Sequence, residues 1–72
     1  MDQFTIYSIK RQGKNVFHRR ITDFSFPTFQ EGRSYAIKLA EKFAALRGEK
    51  IEMLTCGLRF GDEEYLVAKV RD

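Results

Sequence analysis

Thr28-Phe29-Gln30-Glu31-Gly32-Arg33-Ser34-Tyr35-Ala36-Ile37-Lys38-Leu39-Ala40-Glu41-Lys42-Phe43-Ala44-Ala45-Leu46-Arg47-Gly48 is the stretch that decides the architecture. Thr28-x-x-Glu31 forms a capping box, in which the threonine hydroxyl accepts from the Glu31 N–H and the glutamate reaches back. Apolar or small residues then recur at 29, 32, 36, 39, 40, 43 and 46, the spacing of one buried helical stripe. Gly48 follows a cation in the last turn and is a natural stop. The spacing predicts a helix over 29–47, whose other side (Gln30, Arg33, Lys38, Glu41, Lys42, Ala45) is solvated.

Both flanks of this helix read as strands. Phe4 to Arg11 is rich in β-branched and aromatic residues, Gln12-Gly13-Lys14-Asn15 offers a tight turn with Gly and Asn available for positive φ, and Val16 to Phe24 repeats the strand signature. Ser25-Phe26-Pro27 breaks that second strand. Downstream, Ile51 to Phe60 and Tyr65 to Val70 are joined by Gly61-Asp62-Glu63-Glu64. The expected fold is α+β in the order ββαββ, one small domain over 1–72: two β-hairpins in an antiparallel sheet with one helix on one face. A single helix leaves the other face open.

Strand alternation assigns rows to the two faces. Leu54, Cys56, Leu58 and Phe60, with Leu66, Ala68 and Val70, are expected to face the helix. The open face then carries Thr55, Arg59, Tyr65, Val67, Lys69 and Arg71. If Phe4, Ile6, Phe17 and Ile21 also point inward, it gains Tyr7, Ile9, Arg11, Val16, His18 and Arg20.

Composition narrows the function classes. In 72 residues, 43% are hydrophobic and 32% charged, with one cysteine and one histidine. One cysteine excludes an intrachain disulfide framework and any multi-cysteine metal cage, pointing to a reducing compartment. Met1-Asp2-Gln3-Phe4-Thr5 has no signal-peptide character, and no apolar run approaches the roughly 18 residues of a membrane span. The expectation is a soluble, cytoplasmic chain without cofactor, metal or membrane partner.

The net charge of +3 is unevenly placed. Through residue 33, Lys10, Arg11, Lys14, Arg19, Arg20 and Arg33 stand against Asp2, Asp23 and Glu31; the remainder balances, seven cations to seven acids. Residues 10 to 20 hold five Lys or Arg and His18 without one acid, so a local positive field exists whatever the fold. The acidic run Asp62-Glu63-Glu64 reads as a solvated hairpin turn.

Two surfaces follow. Tyr7, His18, Arg20, Arg59, Tyr65 and Lys69 supply rings for base stacking and cations for phosphates, as single-strand nucleic-acid platforms do, although no RNP-type motif is present. Lys10, Arg11, Lys14, Arg19 and Arg20 resemble a β-ribbon arm lying along phosphates; their ordinary alternative is a charged guard on an edge strand. Phe24, Phe26 and Phe29, clustered around Pro27, are candidates for an exposed apolar interface. His18 and Cys56 lack the orienting group and oxyanion site that catalysis needs, Cys56 reads as inert core, and the five glycines form no phosphate loop. An enzyme is not expected.

The first functional reading is therefore a small non-enzymatic regulatory domain that contacts nucleic acid through the basic hairpin and open face. The second is a protein-interaction module or inhibitor that docks on an acidic or nucleic-acid-handling protein. In length and ββαββ order the chain resembles the compact accessory proteins of phages and mobile elements, some anti-CRISPR inhibitors among them; without a shared motif, the resemblance implies no residue roles. Free strand edges would also permit a homodimer.

Overall fold

The computed structural model describes residues 2–70. Its helix, α1, spans Phe29–Arg47 as the cap signals predict. Thr28 is extended, and its Oγ1 accepts from the Glu31 N–H at 3.2 Å. Glu31 adds negative charge to the first turn, where it meets the positive end of the helix dipole. At the other end Gly48 turns left-handed at φ 67°, and its N–H and that of Glu49 return to the Ala45 and Ala44 carbonyls. Thr28→Ala is expected to cost about 1 kcal/mol in a urea titration, and Thr28→Ser a few tenths.

The face of α1 against the sheet is made of small residues. Gly32, Ala36, Ala40 and Ala44 are buried at a strict spacing of four, and Phe29, Ile37, Leu39 and Phe43 pack at their sides. A Cβ at position 32 would stand 3.0 Å from Val67 Cγ1, so the first turns lie tightly on the sheet. Leu46, expected in the stripe, is 78% exposed because it lies two residues, about 200°, round the helix from the buried Ala44. Ala44 occupies the buried position instead.

Five strands form the sheet: β1 (Phe4–Gln12), β2 (Asn15–Arg20), β3 (Ile51–Leu54), β4 (Gly57–Phe60) and β5 (Glu63–Lys69). All neighbours are antiparallel, in the order β2-β1-β5-β4-β3. The class is α+β as expected, but the element order is ββαβββ: the single strand expected over Ile51 to Phe60 is two strands joined by Thr55 and Cys56. That turn contains no positive φ, so no Gly, Asn or Pro marks its centre. Gly57 follows it, where the Val67 N–H bonds the Cys56 carbonyl at 2.8 Å and the β5 backbone comes too close for any side chain.

The extra turn corrects the assignment of faces. Leu58 and Phe60 face the helix as expected, but Cys56 is exposed in the turn rather than in the core. On β5 the inward row is Tyr65 and Val67, with Leu66 and Ala68 on the other face. The two-residue turn Gly61–Asp62 imposes this: it sets Phe60 opposite Glu63 and Leu58 opposite Tyr65, and opposed residues share a face. Arg71 lies outside the described residues. Ile6, Leu58, Phe60, Tyr65 and Val67 make the sheet side of the core, closed by Phe26 and the helix alanines.

β2 ends at Arg20 rather than Phe24. The chain bulges outward and returns so that Phe26 pairs with Phe4 through two backbone bonds of 2.8 Å. The β1–β2 turn has positive φ only at Gly13, the pattern of a type II′ hairpin, and Asn15 already belongs to β2. No helix among the described residues is long and apolar enough to cross a membrane.

Candidate functional site

The helix packs on β5, β4, β1 and β3 and does not reach β2. β2 is thus an edge strand with no helix above it, and all six of its residues are exposed. The Ile21 N–H donates to the Ile6 carbonyl, which sets the phase of the ladder. Asn15, Phe17 and Arg19 turn their backbone groups toward β1, whereas Val16, His18 and Arg20 turn theirs outward. β1 is clamped on its other side by β5 from Phe4 through Lys10, so only the tip beyond Lys10 projects freely.

Register distributes the basic residues of this hairpin over both faces. Arg20 lies opposite Tyr7, His18 opposite Ile9, and Val16 opposite Arg11, all on the open face. Arg19 lies opposite Ser8, and Phe17 opposite Lys10, on the helix side. The rows predicted for the first hairpin's open face are those observed. Phe17, expected inward, is 54% exposed because nothing covers the overhanging strand.

Ion pairing separates these cations into two groups. Arg11 bonds Glu64, Arg59 bonds Glu52, Lys69 reaches Asp2 at 3.3 Å, and Arg47 reaches Glu63 at 2.8 Å and Glu49 at 3.8 Å. Among the described residues, Lys10, Lys14, Arg19 and Arg20 have no carboxylate within 4 Å. Arg20 donates only to the uncharged Ser25 hydroxyl, at 3.0 Å. The free positive charge of the hairpin is therefore concentrated on four side chains around one edge strand.

The acidic run is not a merely solvated turn. Glu63 and Glu64 lie on opposite faces of β5 and reach, respectively, Arg47 at the helix end and Arg11 on β1. Arg47 also sits 5.8 Å from the Phe60 ring centre. Its hydrogen bond to Glu63 raises its pKa, as the bond to Glu52 raises that of Arg59.

Several sequence candidates do not join the hairpin. Tyr65, expected on the open face, is 4% exposed, beneath the helix and edge-on to Phe60 at 5.2 Å. Burial, then the Glu63 charge, raises its phenol above the usual 10. Since the folded state favours the protonated phenol, this contribution is present below pH 10 and lost as pH rises through the raised value. Tyr65→Phe should remove that part of the alkaline loss of stability, measured by thermal melts across the alkaline range. Lys69 is on the helix side and tied to Asp2, while Arg59 is on the open face and tied to Glu52. His18 and the Cys56 turn are separated by at least three strand spacings, with a further offset along the strands, and form no catalytic pair.

The apolar patch also differs in membership. Phe26 is buried, and Phe29 packs half-buried against Phe4 with ring centres 6.1 Å apart. Phe24 remains 48% exposed, edge-on to the partly exposed Tyr35 at 5.5 Å. Nothing in the sequence marks Tyr35 as part of this patch, because it sits on the helix, next to the buried stripe.

Three hollows flank the hairpin, one of them, of about 390 Å³, lined by Ser8, Lys10, Phe17, His18, Arg19 and Glu63. On the open face, a cleft of about 330 Å³ is lined by Tyr7, Ile9, His18 and Leu66. Beneath the overhang, a groove of about 440 Å³ runs between Arg19 and Ile21 on one side and Leu39 and Phe43 on the other. The described residues contain no cluster of His, Cys, Asp and Glu that could hold a metal ion. No protein-family model matches this chain, and neither the curated proteins nor the solved structures yield a match.

Proposed function

We propose that this chain is a nucleic-acid-binding module that holds phosphates with its β1–β2 hairpin. One observation carries the reading: of the cations without an acidic partner among the described residues, which also include Arg33, Lys38, Lys42 and Lys50, four (Lys10, Lys14, Arg19 and Arg20) lie together on one hairpin. Four cations outside any salt bridge, Lys10 standing across from Glu63, surround a fully exposed edge strand and form a local field that favours a polyanion.

Titration against DNA and RNA over a range of salt tests the proposal. Four phosphate contacts give a slope of log affinity on log salt of about −3, a loss of about 50-fold between 50 and 200 mM. Absence of binding at low salt would overturn it.

The exposed Phe24–Tyr35 pair supports a second reading, a module or inhibitor that docks on a host protein. An acidic protein surface would satisfy the same hairpin. Affinity purification from the native host separates the two: a stoichiometric protein that survives nuclease and is lost with Phe24→Ser supports docking, and nuclease-sensitive recovery counts against it.

A further inference from the structure

We infer that the bound nucleic acid is single-stranded, with unpaired bases seated on the open face in the cleft of Tyr7, Ile9, His18 and Leu66. This rests on the phosphate-binding reading and names its ligand class. Tyr7 and Ile9 share a row, with Arg20 and His18 opposite them on β2. These are the non-hydrogen-bonded pairs of the ladder, in which Cα atoms approach to about 4.5 Å and side chains lie closest. The result is an aromatic floor of Tyr7 and His18 bordered by a cation, Arg20, that has no carboxylate partner among the described residues.

The other cations of the open face carry no net attraction there, because Arg11 is paired with Glu64 and Arg59 with Glu52. Arg20 is thus the strand cation of this face that lies outside an ion pair among the described residues, and it stands beside the cleft. Tyr7 is half-buried and His18 exposed, so ring surface is open to a base. Bases inside a duplex are already stacked and have no face to offer.

Geometry also argues against a duplex. A free two-stranded ribbon can enter a major groove, but β1 is locked into the sheet through Lys10 and cannot follow. Arg20 and Arg19 are adjacent in sequence yet point to opposite faces across the edge. A flexible single strand can turn over that edge and meet both, whereas a duplex, stiff over about 150 base pairs, presents one side.

The test compares, at constant low salt, fluorescently labelled oligothymidine, oligouridine, an abasic strand of the same length and a blunt DNA duplex. At least one of the two base-bearing strands should bind about tenfold or more tighter than the abasic strand and the duplex, as one stacked base provides. Which of the two binds tighter distinguishes DNA from RNA. Tyr7→Ser should remove that advantage while leaving abasic binding unchanged, and Tyr7→Phe should retain it. Equal affinity for abasic and base-bearing strands, or tighter duplex binding, overturns the single-strand inference and leaves the phosphate reading standing. No binding to any of the four overturns both.

Discussion

Gly57→Ala should remove a large part of the protein's stability at room temperature. A Cβ at this position would lie 1.8 Å from the Tyr65 carbonyl oxygen, 2.9 Å from its carbon and 3.1 Å from Leu66 Cα. All three are backbone atoms of β5, so no side-chain rotation relieves the overlap. The strand must instead move away, which strains the 2.8 Å bond from the Val67 N–H to the Cys56 carbonyl and lifts Tyr65 and Val67 out of the core. The expected loss is about 4 kcal/mol or more, in the exceptional range for one substitution, against a total of roughly 5 to 15 kcal/mol for a folded domain. Two other glycines calibrate it. Gly13 has positive φ and open space around it, so Gly13→Ala should cost about 1 to 2 kcal/mol, from backbone conformation alone. At Gly61 the added Cβ meets only the end of the Glu49 side chain, which can swing aside, and the loss should lie between the two. Urea titrations followed by circular dichroism measure all three; a Gly57→Ala variant within about 1 kcal/mol of the parent would refute the close approach.

The same turn shows where the fold was legible in the sequence. The helix could be read to its ends because both carry residues that act locally: a Thr28 hydroxyl that bonds its own first turn, and a glycine free to adopt φ 67°. The first hairpin was legible for the same reason, with Gly13 marking its turn. Thr55 and Cys56 adopt a turn that any residue tolerates, and with no mark at its centre two strands read as one. Read as one strand, the segment places Cys56 in an apolar row to which it does not belong.

On β5 both rows are largely apolar, Tyr65 and Val67 against Leu66 and Ala68, so hydrophobicity alone does not choose between them. The signal that does choose is the length of the Gly61–Asp62 loop, which couples the facing of β5 to that of Phe60. Sheet order had no local signal, because β1 meets β5 across nearly the whole chain. For that reason the candidate site was only half legible. The basic segment was plain in composition, but which of its cations are neutralised depends on Glu64 arriving beside Arg11 and Glu63 beside Arg47. Pairing removed Arg11, Arg59 and Lys69 from the uncompensated set, burial removed Tyr65 from the surface, and Tyr7, His18, Arg19 and Arg20 remained exposed or half-exposed on the hairpin.

Replacing Arg19 and Arg20 together by glutamate should abolish nucleic-acid binding and leave the fold intact. Both side chains are exposed, and among the described residues the only side-chain bond either makes is from Arg20 to the Ser25 hydroxyl, so the melting temperature should move by no more than a few degrees. Their effect on binding is larger than loss of two contacts. Two of the four free cations become acids, one of them on the same face as Lys10, so the free charge of the hairpin falls from four to zero. Neutral Arg19→Gln with Arg20→Gln should instead lower the steepness of the log–log salt plot by about 1.4, two single-strand contacts at about 0.7 each. A control separates place from total charge: Lys38→Glu with Lys42→Glu makes the same change in net charge on the exposed side of α1, away from the hairpin. That variant should bind within a few-fold of the parent at physiological salt, where charges more than about 8 Å away are screened. If both double variants lose binding equally, the chain is attracted by its net charge and the hairpin is no site. If only the Arg19 and Arg20 variant does, the position of four cations around one exposed edge determines the affinity.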